Sequence, residues 1–155
     1  MILSVGTDGT INALAAGLAT VYYTISNDCG VNSVSSIINV NPLPATPDLI
    51  GGASSVCAGG SATVTNTVTG GTWSLTDASI ATIDATGTIN ALTAGDETVV
   101  YTITNDCGSN STSTLFPINP LPSTPSAISG ASHLCPSTMT TLTTSSTDGS
   151  WSTSN

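Results

Sequence analysis

The sequence predicts an all-β protein of tandem β-sandwich domains, on three observations. Apolar and polar residues alternate along Thr98-Val-Val-Tyr-Thr-Ile-Thr104, the pattern of a strand with one covered face. Turn chemistry separates such runs, as at Asp84-Ala-Thr-Gly87 and Ala94-Gly95-Asp96, where Gly supplies positive φ and Asp bonds its own backbone. The chain also repeats. Gly9-Thr-Ile-Asn-Ala-Leu14 returns as Gly87-Thr-Ile-Asn-Ala-Leu92, an offset of 87 − 9 = 78.

The same offset carries Asn27-Asp-Cys-Gly30 to Asn105-Asp-Cys-Gly108, Asn41-Pro-Leu-Pro44 to Asn119-Pro-Leu-Pro122, Cys57 to Cys135 and Trp73 to Trp151. About half of the positions match without gaps, the signature of an array whose repeat is a structural unit. Asn-Pro-Leu-Pro followed by Thr-Pro reads as a stiff, extended linker. With boundaries there, residues 1–42 are the second half of a domain, 43–120 a complete domain, and 121–155 the first half of a third. Met1 aligns with Ser79 and Asn155 with Asp77, so the chain starts and stops at one loop, one residue short of two repeats.

In the complete domain, strands are expected near 47–50, 54–57, 62–68, 72–76, 80–84, 87–92, 97–104 and 111–118. Gly70-Gly71 makes the turn into the Trp73 strand, and Pro117 falls late in the last one, where an edge tolerates a missing donor. The expected core is Val64, Val68, Trp73, Ile80, Ile83, Ile89, Leu92, Val99, Tyr101 and Ile103. Tyr23 and Trp151 are expected in the core of the flanking halves.

Composition narrows the function. The 155 residues carry a net charge of −9 with no Lys or Arg, and mean hydropathy is +0.29. Lacking cations, the chain has no means of neutralising a phosphate backbone, so nucleic acid is excluded as a partner. About a third of the residues are Ser or Thr, which suits strands that face water; their regular alternation with Val, Ile and Leu argues against a disordered stalk. No segment has the apolar length of a membrane helix, so membrane insertion is not expected. Met1-Ile-Leu-Ser-Val-Gly6 lacks the basic and apolar regions of a signal peptide, which points to a piece of something longer.

The run from Trp73 to Thr102, W-S-x-x-x-x-S-I-A-T-I-D-x-x-G-x-I-x-A-L-x-A-G-x-x-T-V-x-Y-T, resembles the group 2 bacterial immunoglobulin-like domain. Such domains occur in tandem in invasin- and intimin-type adhesins. The flanking Val56-Cys-Ala-Gly59 and Asn105-Asp-Cys-Gly108 resemble the cysteine-bearing repeats of giant Bacteroidetes surface proteins. The resemblance implies Ig-like sandwiches, with Trp73 between the sheets, and modules that space or display something else.

Four cysteines, Cys29, Cys57, Cys107 and Cys135, without a metal motif point to disulfides and an oxidising, extracellular or cell-surface setting. In an Ig-like domain the second and sixth strands run the same way in opposite sheets, which puts Cys57 and Cys107 at opposite ends. Two schemes remain. Between domains, Cys57 pairs with the next copy's Cys29 and Cys135 with the next copy's Cys107. Within domains, Cys57 pairs with Cys107 and Cys135 with the next copy's Cys29.

Catalytic chemistry is not expected, because no acid/base or nucleophile constellation occurs. The single histidine, His133, has Ser55 as its repeat equivalent, and with Cys135 it makes only half a transition-metal site. No cofactor is expected; calcium is the one ion that the oxygens of Ser26-Asn-Asp28 and Thr104-Asn-Asp106 could take, without an EF-hand spacing. Thr63, Thr65, Thr67 and Thr69, matched by Thr141, Thr143, Ser145 and Thr147, read as one strand's solvent face rather than an ice-binding array. The expected function is therefore a structural module of a bacterial surface rod or filament, its partner being itself, as head-to-tail copies or neighbouring repeats. The alternative is an adhesin segment that binds a glycan or protein through its loops. Tyr22 is the only aromatic expected outside, and its repeat equivalent is Val100, which favours the rod.

Overall fold

The computed structural model describes residues 1–154, and among these are twelve strands and no helix. The chain divides into two compact units, Met1–Pro120 and Leu121–Asn155. The first unit opens with β1 (Leu3–Val5) paired to β2 (Ile11–Ala13), then a long hairpin of β3 (Gly17–Asn27) and β4 (Gly30–Val40).

Two four-stranded sheets follow. The first has β5 (Gly51–Gly52), β7 (Ser61–Thr65), β10 (Thr88–Ala91) and β9 (Ala81–Ile83) side by side in that order. The second has β6 (Val56–Cys57), β12 (Gly108–Asn119), β11 (Gly95–Asn105) and β8 (Thr72–Leu75). All pairings are antiparallel except β6 with β12, where Val56 and Cys57 lie beside Ile118 and Asn119.

The buried cluster explains why the sheets face one another. Val64, Ala81, Ile89 and Ala91 come from the first sheet, and Val99, Phe116 and Ile118 from the second. Strand periodicity sends alternate residues inward, so β11 buries Glu97, Val99, Tyr101 and Ile103 in succession. Each fully buried Val, Ile or Phe contributes about 1.5–3 kcal/mol of transfer free energy. Trp73 is partly buried at the edge of this cluster, its ring 4.4 Å from that of Tyr101 and tilted by 45°. The Tyr101 hydroxyl donates to the Val68 carbonyl at 2.8 Å and accepts from the Gly71 N–H at 2.9 Å. A Cβ at position 71 would lie 2.5 Å from the Tyr101 ring, so only glycine permits this approach.

Glu97 is wholly buried, and its carboxylate is satisfied by the loop after β8. Oε1 accepts from the Thr76 N–H at 2.9 Å, the Thr76 hydroxyl at 2.7 Å and the Thr98 N–H at 2.8 Å, while the Asp77 N–H lies 3.2 Å from both oxygens. Asp77 and Asp84 organise the next two turns through Ser79 and Thr86, whose hydroxyls and N–H groups hold both carboxyls below the ordinary aspartate value. Being depressed, these groups support folding above their unfolded value and lose that support as pH falls through the folded one.

Several expectations are corrected. The first strand is not at 47–50 but at Gly51–Gly52, and the run expected at 62–68 stops at Thr65, where Asn66 turns to bond the Asp48 carbonyl at 2.6 Å. Leu92 is exposed: Ile89 and Ala91 point inward, so Asn90 and Leu92 point out by the same alternation. Val68, Ile80 and Ile83 are only partly buried. Phe116, Ile118, Ala81, Ala91 and Glu97 belong to the core and were not in the expected set.

Two measurements check this packing. Trp73→Ala should cost about 3 kcal/mol in denaturant melts, the low end for deleting a large aromatic because the ring is partly exposed; a loss below about 1 kcal/mol would detach the ring from the core. Glu97→Ala should also cost about 3 kcal/mol, because several buried donors lose their acceptor, and Glu97→Gln, which keeps an amide oxygen, less than half of that. Equal losses for the two would show that the geometry of acceptance does not matter.

Candidate functional site

The β3–β4 hairpin reproduces the β11–β12 pairing residue for residue, 78 positions earlier. Gly17 faces Val40 as Gly95 faces Ile118, and Asn27 faces Gly30 as Asn105 faces Gly108. Likewise Leu3 faces Ala13 as Ala81 faces Ala91. The covering layer differs. Tyr23 is 72% exposed where Tyr101 is 5%, and Ile25 is 60% exposed where Ile103 is 9%. Residues 1–42 thus carry the repeat equivalents of β9–β12, with no counterpart of β5–β8 upon them among the described residues.

The sequence equivalents of β5–β8 lie in the second unit, where one isolated bridge forms among the described residues. Ser129 pairs with Thr143 as Gly51 pairs with Thr65, and Ser126 bonds Thr144 and Ser145 as Asp48 bonds Asn66 and Thr67. Leu142 and Trp151, equivalent to the buried Val64 and the core-packed Trp73, are both exposed. Tyr23 and Trp151, expected in the core, are therefore at the surface in the single chain, each without the ring that Trp73 and Tyr101 give one another. Tyr22 is not the only outward aromatic.

A groove of about 730 Å³ marks the end of the bare strands, lined by Ile11, Ala13, Ile38, Val40, Asn41 and Cys107, among others. Among residues 43–120 the equivalent space is filled by Val56–Gly60. There Ala58 N–H donates to the Asn119 carbonyl at 2.9 Å, Gly59 N–H to the Ala91 carbonyl at 3.0 Å, and Ala91 N–H to the Gly60 carbonyl at 2.9 Å.

All four cysteines are exposed and free. Cys57 lies beside Asn119 at one end of β12, and Cys107 stands just before its other end at Gly108. The intervening 119 − 108 = 11 residues span about 36 Å, far beyond the Cα separation of a disulfide. The hairpin tip that carries Cys107 instead reaches the preceding linker. Asn105 Nδ2 donates to the Pro42 carbonyl at 3.0 Å, Cys107 Sγ lies 3.6 Å from the Asn41 carbonyl oxygen, and Asn110 Nδ2 donates to Thr46 Oγ1 at 3.1 Å. The sequence held a signal for this contact, since Asn-Asp-Cys-Gly and Asn-Pro-Leu-Pro both repeat without change.

The remaining candidates sit in ordinary local structure. Asn27 and Asn105 each accept the N–H of the cysteine two residues on, at 2.9 Å, so these amides organise the turn. Among the described residues no three His, Cys, Asp or Glu side chains gather in one place. His133 Nδ1 lies 2.7 Å from the Ser132 hydroxyl. Thr63 and Thr65 lie on β7 while Thr67 and Thr69 lie beyond it, so the four do not share one strand.

No family model matches the chain, and no curated protein matches it. Solved structures similar in part include two of a surface layer protein. Domains 1–6 of the surface layer protein SbsC share 15% identity with a TM-score of 0.33, and the S-layer protein rSbsC(31-844) shares 18% with a TM-score of 0.31. Each covers 84% of this chain, which spans 20% of the other protein's length.

Proposed function

We propose that this chain is an extracellular structural module of a bacterial surface rod or filament, assembled from Ig-like domains joined head to tail. One observation carries the reading: the bare strands of residues 1–42 and the exposed segment 121–154, in which only the Ser129–Thr143 bridge forms, are repeat equivalents of two layers that cover each other in residues 43–120. The occupant of the exposed Tyr23 face is accordingly the early half of a neighbouring repeat, carried by the same chain or by a second copy, with its equivalent of Trp151 seated as Trp73 seats against Tyr101. Strand addition of this kind satisfies unpaired edges and buries apolar surface together. The two surfaces differ, so the contact is heterologous and propagates rather than closing as a dimer. The four cysteines support a place outside the cell.

Sedimentation of the chain under reducing conditions tests the reading without any cross-link. The expected outcome is a concentration-dependent series of oligomers. Trp151→Ala and Tyr23→Ala should each weaken association tenfold or more, as buried aromatic anchors do, with the melting of the complete domain unchanged. A stable monomer at high micromolar concentration would overturn it.

A further inference from the structure

We propose that the groove between Ala13 and Asn41 receives the turn equivalent to Leu134–Thr138 of a neighbouring repeat, carried by the same chain or by a second copy, and that its cysteine, the equivalent of Cys135, forms a disulfide with Cys107 beside the groove. The inference rests on the head-to-tail reading and adds a covalent lock to it. By the same geometry, Cys57 of one copy joins Cys29 of the next at the following boundary.

Three observations place the two sulfurs together. The groove is the repeat equivalent of the space that Val56–Gly60 fills, and Leu134, Cys135, Pro136, Ser137 and Thr138 are the equivalents of those five residues. The incoming turn also has the required shape before docking. Thr138 N–H bonds the Cys135 carbonyl at 3.1 Å as Gly60 N–H bonds Cys57 at 3.0 Å. Ser137 adopts φ 66° where Gly59 has 79°, and it is the only non-glycine residue with positive φ among those described. A residue with a Cβ adopts that conformation uncommonly, and here it reproduces the turn that glycine makes at the equivalent position.

The third observation fixes the partner. Cys57 lies beside Asn119, so Cys135 in the groove would lie beside Asn41, one strand spacing of about 4.8 Å away. Cys107 Sγ is already 3.6 Å from the Asn41 carbonyl oxygen. That proximity suits the Cα separation a disulfide allows. Ser137 N–H and the Thr138 carbonyl would meet the Ala13 carbonyl and N–H, as Gly59 and Gly60 meet Ala91. Pro136 stands where Ala58 donates to Asn119, so one of the three ladder bonds is lost.

The bond forms by thiol–disulfide exchange with an external disulfide, either a small molecule or a protein oxidant. One cysteine thiolate attacks the oxidant's sulfur and releases a thiol. The second thiolate then attacks the mixed disulfide, forming the Cys135–Cys107 bond and releasing a second thiol. Two cysteines are oxidised and one disulfide is reduced to two thiols.

The test mixes unlabelled and 15N-labelled 155-residue chains under reducing conditions and then oxidises them with glutathione disulfide. Peptides are generated with chymotrypsin, because the chain offers trypsin no Lys or Arg. The expected products are Cys107–Cys135 and Cys29–Cys57 pairs, about half of them joining a labelled to an unlabelled peptide. They should accompany a ladder on non-reducing denaturing gels that collapses to 15.3 kDa with reductant. The double variant Cys29→Ser/Cys135→Ser should lose the ladder and keep the oligomers seen by sedimentation. Oligomers with free thiols, with Cys57–Cys107 pairs, or with bridges joining only like-labelled peptides would overturn the lock and leave the assembly standing. Monomers alone would overturn both.

Discussion

Mutual coverage of two one-sided sheets is the constraint on which the structure depends. Alternation gives each strand one apolar face, and a sheet built from such strands has no stable state with that face in water. Residues 43–120 solve this internally: Val64, Ile89 and Ala91 meet Val99, Phe116 and Ile118. Residues 1–42 present the same problem without the solution, since their hairpin pairs correctly and still exposes Tyr23, Ile25 and Ile37. Backbone pairing and sheet covering are thus separable here. The first is satisfied within 78 residues of sequence, whereas the second needs the other half of a repeat.

Two polar clamps refine this scaffold and make the repeats unequal. Tyr101 ties the loop before β8 to β11 through Val68 and Gly71, and Tyr23 keeps the same ring and hydroxyl in the first repeat. Glu97 ties the loop after β8 to the start of β11, but its equivalent is Ala19. A domain assembled from residues 121–155 and a second copy's residues 1–42 would therefore keep the tyrosine clamp and lack the glutamate one. That junction would depend more on its apolar anchors, and on any covalent link, than the complete domain does.

The long strands were legible because their pattern is local. Thr98–Thr104 alternates cleanly, and the structure extends it to an eleven-residue strand. The early strands were not, because β5 and β6 are two residues each and owe their existence to pairing with Thr65, Val64, Ile118 and Asn119, which is not visible at their own positions. Leu92 was misplaced by reading hydrophobicity without holding the phase set by Ile89 and Ala91. Glu97 was missed for a different reason: a lone acidic residue in a strand reads as solvent-facing, and only the fold shows the three N–H groups that make its burial tolerable. The candidate interface was half legible. The phase of the repeat exposed the unmatched halves, but the reach of the Cys107 hairpin to Asn41 needed coordinates.

That reach bears on how the segment from Asn41 to Pro47 is held. β11 and β12 run on past the apolar cluster, and the inward face of β12 turns from Phe116 and Ile118 to Thr114, Thr112 and Asn110 toward the tip. On this stretch the buried apolar side chains, Tyr101 and Ile103, come from β11 alone, and the polar tip beyond them makes its contacts elsewhere. It touches the linker three times, at Pro42, Asn41 and Thr46, in a segment whose prolines at 42, 44 and 47 already restrict the backbone. A linker both stiffened by proline and held from the side hinges less than a free one. The equivalent tip of the β3–β4 hairpin bears Asn27, Cys29 and Asn32, the same side chains at the same spacing. A copy docked ahead of it would offer its Asn119–Pro122 segment to that tip, so the brace would recur at every domain boundary. Coverage would then join the modules, while the brace would set the angle at which they join.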